Sequence, residues 1–213
     1  MNAALAAGWL AAVSPAAACP PDPRLDIAVV AEHHPPAVRS SYSLGQLRGF
    51  AARSGQRSRH APLGFYAGAF GYTVEVAAGG AAAPGCVPAL HVLVRMFLAD
   101  RRVEVGTDLR AVRCRPEEVV SHYLSHADRD DRLLSRYAGL AAAMFDRVPR
   151  SDLLGGVAPG VTGDDPGEAV AAAVRRAMDD LLRPYDEDRR QALAAADTDE
   201  ELAKLRGACG RDL

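Results

Sequence analysis

Residues 116–141 read PEEVVSHYLSHADRDDRLLSRYAGLA. At about 100° per residue one face collects Val119, His122, Tyr123, His126, Asp130, Leu133, Leu134, Tyr137, Leu140 and Ala141. Ser121, Asp128, Arg132 and Arg136 fall on the other side. This is an amphipathic helix. Pro116 suits its first turn, and Glu117 and Glu118 sit well at the positive end of its dipole. His122, His126 and Asp130 interrupt the apolar stripe. Polar groups facing a core must be satisfied, since an unpaired one is costly to bury. A metal ion is one solution; hydrogen bonds to other protein groups are another.

His122 and His126 lie one helical turn apart and point the same way, so both can ligate one zinc ion. Their segment, His-Tyr-Leu-Ser-His, has the spacing of the His-Glu-x-x-His helix of zinc peptidases. There the Glu is the base that activates the metal-bound water. Tyr123 occupies that place here. A phenol with an ordinary pKa of about 10 is a poor proton acceptor at neutral pH. Asp130, one turn beyond His126, is the third candidate ligand. A straight helix spreads the three over about 12 Å, so two His and a residue from elsewhere make the easier set.

Working toward the N-terminus, Arg102 to Gly106 reads as a short strand after a tight turn at Ala99-Asp100-Arg101. Cys86 to Leu98 is a long strand with Leu90, Val92, Val94, Met96 and Leu98 on one face. His91 and Arg95 face the other way, and His91 is expected to meet solvent. Phe65 to Val76 alternates in its second half and pairs as a hairpin across the small residues of 79–85. Ser43 with Gln46 forms a capping box for a short helix. Leu25 to Val30 is a first strand, ended by His33-His34-Pro35-Pro36; those two histidines read as loop residues, and His60 as a surface one. Strand, hairpin and helix in that order predict an α+β fold: a small antiparallel sheet against the His-bearing helix, with further helices after it.

Toward the C-terminus, Pro149 to Gly167 has the Gly, Pro and Asp content of a long loop. Asp165 caps a helix that Pro166 starts and that runs to about Arg183. Pro184 breaks it, a shorter helix covers Glu187 to Ala196, and Thr198 with Glu201 caps the last one, ended by Gly207. No internal repeat, P-loop or dinucleotide fingerprint is present.

The formal net charge of −2 gives no support to nucleic-acid binding. The small apolar start, residues 1–18, reads as a signal peptide ending in Ala16-Ala17-Ala18, although no Lys or Arg precedes Arg24. No later run is apolar and long enough to span a bilayer. Export to the periplasm or the outside follows, with a lipid anchor on Cys19 as the less favoured variant. Four cysteines, Cys19, Cys86, Cys114 and Cys209, suit an exported chain and allow three pairings.

The Cys-Pro at Cys19, Leu63-Gly64 before the hairpin, Cys86, the short strand, Cys114 and the helix of His122 and His126 follow one another in an order that resembles exported bacterial zincin-like domains. The Thr-Asp-Glu-Glu-Leu…Ala-Cys-Gly ending resembles their tail. The resemblance implies disulfides Cys86–Cys114 and Cys19–Cys209, and zinc as the cofactor. It divides the chain into a zincin-like domain at 19–148, a loop at 149–166 and a helical extension at 167–213 packed on the same domain. With Tyr123 at the Glu position, the expectation is an exported zincin-like protein without peptidase activity that binds metal and serves a peptide, protein or envelope partner. The alternatives are a hydrolase using another base, Asp130 or, less well placed, Glu118, and a metal-free structural envelope protein.

Overall fold

The computed structural model describes residues 24–53, 62–80, 86, 88–154 and 165–209. The segment read as a signal peptide, Cys19 and His60 lie outside them. The elements are β1 (Leu25–Glu32), β2 (Ala37–Tyr42), α1 (Leu44–Arg53), β3 (Gly64–Gly79), β4 (Ala89–Gly106), α2 (Pro116–Arg147), α3 (Arg150–Leu154), α4 (Pro166–Leu182), α5 (Tyr185–Ala194) and α6 (Asp199–Cys209).

The fold is mixed α+β, but the sheet is not the antiparallel one expected. β4 runs through its centre. β3 pairs with it antiparallel, as the predicted hairpin, from Gly64 opposite Val105 to Gly79 opposite Ala89. β1 and β2 both pair with it parallel, β1 against Leu90 to Phe97 and β2 against Arg102 to Gly106. β1 and β2 are thus two halves of one side, broken at His33-His34-Pro35-Pro36, where two prolines bring no N–H to a ladder. Alternation of apolar residues looks the same in either pairing. Parallel partners need long connections, which the intervening α1 and β3 supply.

The expected turn at Ala99-Asp100-Arg101 is instead a bulge within one strand. Register slips by one residue between Ala67 and Ala69 of β3, and Asp100 takes a positive φ of 52°. An extra residue inverts a two-residue alternation. Before the bulge the even-numbered side chains Leu90 to Leu98 face the core; beyond it Val103 and Val105 do. The bulge also turns Arg101 inward, where it is buried.

The core falls into two parts. The larger joins the first half of β4 to Leu133, Leu134, Tyr137, Ala141 and Phe145 of α2, Val170, Val174 and Met178 of α4, and Tyr185 of α5. The smaller joins Val103 and Val105 to Leu44 and Leu47 of α1, Leu109, Val119, Leu205 and Cys209. α2 serves both, and its polar turns His122, His126 and Asp130 fall between them. The buried stripe matches the expected face except at four positions. Leu140 is exposed, Tyr123 is only partly buried, and Ala127 and Ala138 are buried in addition.

The cap signals appear as hydrogen bonds. Ser43 N donates to Gln46 Oε1 at 2.8 Å and Gln46 N to Ser43 Oγ at 3.3 Å. Gly167 N donates to Asp165 Oδ1, and Glu201 N to Thr198 Oγ1. The last helix continues past Gly207 to Cys209. There Cys209 bonds to Cys114, so the implied pairing Cys86–Cys114 and Cys19–Cys209 is incorrect. Cys86 is itself in a disulfide. The bond instead joins the end of the chain's last helix to the lead-in of α2.

Candidate metal centre

His122 and His126 project from α2 into the seam between the two cores, and each is 7 % exposed. The third group there is Asp197, from the turn between α5 and α6. Asp197 N donates to Ala194 O, closing that turn, and its neighbour Ala196 is buried beneath it. Thr198 then caps α6. The Nε2 atoms of His122 and His126 stand 3.2 Å apart. Asp197 Oδ1 lies 3.1 Å from the first and 3.2 Å from the second. A tetrahedral zinc ion with bonds of about 2.0–2.1 Å spaces its ligand atoms about 3.3–3.4 Å apart. The triangle of donors therefore has nearly the size that such an ion requires.

Without an ion the arrangement is awkward. Three atoms that each carry a lone pair converge, two of them imidazole nitrogens, and a shared proton can satisfy only part of the set. His122 Nδ1 is buried with no hydrogen-bond partner among the described residues. Burial works against ionisation of Asp197, but the hydrogen bonds from His122 and His126 outweigh it and hold the carboxyl well below the ordinary carboxylate range. The Asp197 side chain is 47 % exposed, so the triangle opens to solvent on its side.

Asp130, the expected third ligand, is turned elsewhere. It is 1 % exposed, and Arg189 of α5 grips it through Nε and a terminal nitrogen, both at 2.7 Å. The Tyr66 hydroxyl donates to it at 2.9 Å. Bidentate arginine on carboxylate is the strong form of such a pair. Burial, first, and the adjacent Asp130 push the Tyr66 phenol up to about 12. Arg101, delivered by the bulge, extends this seam. It donates to Ala127 O, Tyr66 Oη, Asp131 Oδ2 and His34 O. Asp130 thus closes a buried charge network next to the imidazoles and does not join them.

Tyr123 packs its ring between the two imidazoles and strand β3, with centroids 5.0 Å from His122 and 5.7 Å from His126. Burial raises the phenol above its ordinary range, and the Asp197 charge adds to this; a backbone hydrogen bond at Gly64 works the other way. At neutral pH it is a proton donor, never the base a Glu supplies. Glu118 is exposed on α2 and pairs with Arg115, away from the site. His91 is exposed beside Asp26 at 3.3 Å, and His33 bonds Asp131, so neither reaches the triangle.

Asp197 went unrecognised because nothing in its local sequence ties it to the helix 75 residues away. Two signals bear on it. The Thr198 capping box puts Asp197 in a turn, and a Cys114–Cys209 pairing brings that turn toward the start of α2.

No family model, no curated protein and no solved structure matches this chain.

Proposed function

We propose that this protein is an exported metal-binding domain that holds a divalent transition ion, zinc foremost, between His122, His126 and Asp197, and that it has no peptidase activity. The carrying observation is the mutual 3.1–3.2 Å approach of three donor atoms from two distant parts of the chain. Two imidazoles and a carboxylate are the ligand types zinc takes in sites that keep a fourth position open. The half-exposed Asp197 side leaves room for that position. Hydrolysis of a peptide needs a base beside the metal. The residue one place after His122 is a partly buried, protonated phenol, and Asp130 is locked to Arg189. The domain therefore serves by binding.

Export agrees with the Cys114–Cys209 disulfide, which persists in oxidising compartments. No described helix is long and apolar enough to cross a membrane.

The test is elemental analysis of the purified chain after zinc loading and gel filtration, with a casein-cleavage assay on the same sample. One zinc per chain, lost in His126→Ala, and no cleavage are expected. Absence of zinc from wild type overturns the metal assignment. Zinc-dependent cleavage by wild type overturns the non-peptidase assignment.

A further inference from the structure

Arg129 lies on α2 three residues beyond His126 and seven beyond His122. That spacing keeps it within about 60° of both imidazoles on the helix face. Its Nε is buried, and among the described residues it has no hydrogen-bond acceptor. Arg101 and Arg189 differ: Arg101 donates to the Asp131 carboxylate and to two carbonyls, and Arg189 to the Asp130 carboxylate and the Gly68 carbonyl. A buried guanidinium N–H without an acceptor is costly to maintain unless something else supplies one.

Charge points to what that is. The acidic neighbours are already committed. Asp130 is neutralised by Arg189 and Asp131 by Arg101. Glu201, on the first turn of α6, bonds Lys204 at 2.7 Å, and Lys204 also pairs with Glu200 at 3.2 Å. A divalent ion on two neutral imidazoles and one carboxylate carries a net charge of about +1, and Arg129 adds another. The seam then has excess positive charge, an open coordination position and an unused N–H.

We propose that the metal centre takes an oxyanion, a carboxylate or a phosphoryl group, with one oxygen on the ion and another accepting from Arg129. The proposal rests on the metal assignment above. Arginine suits it because its planar fork matches both kinds of anion.

Cobalt(II) in place of zinc gives the centre a visible spectrum that reports its fourth ligand. The full chain, loaded with cobalt, is titrated with inorganic phosphate and, separately, with acetate. Wild type is expected to change its spectrum saturably with at least one of them, and the stronger of the two identifies the class. Arg129→Met is expected to weaken that anion about tenfold, the loss of one charged hydrogen bond, with cobalt affinity unchanged. Arg129→Lys, which keeps the charge, falls between. Cobalt binding with equal anion affinity in wild type and Arg129→Met overturns the oxyanion proposal alone. Failure to bind cobalt overturns the metal assignment and this proposal with it.

Discussion

His122 and Asp197 stand 75 residues apart in the chain and 3.1 Å apart in space. Three things bring them together. Buried Ala196 seats the turn, the Thr198 cap starts α6 at a fixed point, and α6 lies along the first half of α2, where Leu205 and Cys209 join the smaller core. The contact between the two helices is covalent at its far end, through Cys114 and Cys209.

That bond should govern both stability and the site. It closes a separation of 95 residues, for which chain entropy gives a stabilisation of about 4–5 kcal/mol. The Cys114→Ser, Cys209→Ser double variant is expected to lose about 2–5 kcal/mol in urea unfolding. Its zinc dissociation constant should rise about tenfold, because Asp197 is less well held in place before binding. Lost stability with unaltered zinc affinity would show that packing alone presents Asp197.

Asp130 and Arg189 form a buried pair whose members depend on each other. Asp130 has no exposure to speak of, so Arg189→Met leaves an uncompensated carboxylate and should cost about 3–5 kcal/mol in chemical denaturation. Adding Asp130→Asn should recover part of that, giving a non-additive cycle. Additive losses would mean that the two side chains act independently.

The sequence revealed the longer helices well, missed α3 (Arg150–Leu154) inside the stretch expected as loop at 149–166, and revealed the sheet only in part. α2 was legible because ten positions repeat at helical spacing, eight of which are buried, and the histidines stood out as polar intrusions in that stripe. The caps at Ser43, Asp165 and Thr198 were legible because each rests on residues within three of one another. Strand direction was not, since Leu25 to Val30 alternates equally well beside a parallel or an antiparallel neighbour. The bulge at Asp100 passed for a turn because both use the same residue types. Asp130 was the natural third ligand on one helix; that Arg189 claims it is a long-range fact, carried by no spacing within α2.

Asp131 gives the fold a defined acid dependence. Burial opposes its ionisation, but the hydrogen bond from Arg101, with His33 adding to it, holds the carboxyl below its ordinary value of 3.8. A depressed folded-state pKa contributes stability that is complete above the unfolded value and is lost as pH falls through the folded one. Urea midpoints of wild type should therefore fall as the pH drops below about 4, and Asp131→Asn should flatten that decline. Parallel curves for the two proteins would remove Asp131 from the acid limb.

Gly64 sits where β3 closes against both the β4 backbone and the Tyr123 ring of α2. A Cβ there would overlap the Glu104 carbonyl oxygen of β4 and sit 2.8 Å from Tyr123 Cε2, well inside contact distance of both. Gly64→Ala is expected to destabilise by about 1–3 kcal/mol, the range for overpacking a filled core. Replacing the ring as well, in Gly64→Ala with Tyr123→Leu, should restore part of the loss. No recovery in the double variant would place the strain on the Glu104 backbone instead of the ring.

The most direct test is a pair of zinc titrations, followed by calorimetry, on two aspartate variants that remain folded by circular dichroism. Asp197→Asn should weaken zinc by about tenfold to a hundredfold, since it removes a charged ligand. Asp130→Asn should leave the stoichiometry at one and the affinity within about threefold, within the reach of an indirect effect. The reverse order, with zinc lost in Asp130→Asn and retained in Asp197→Asn, would contradict the site as assigned.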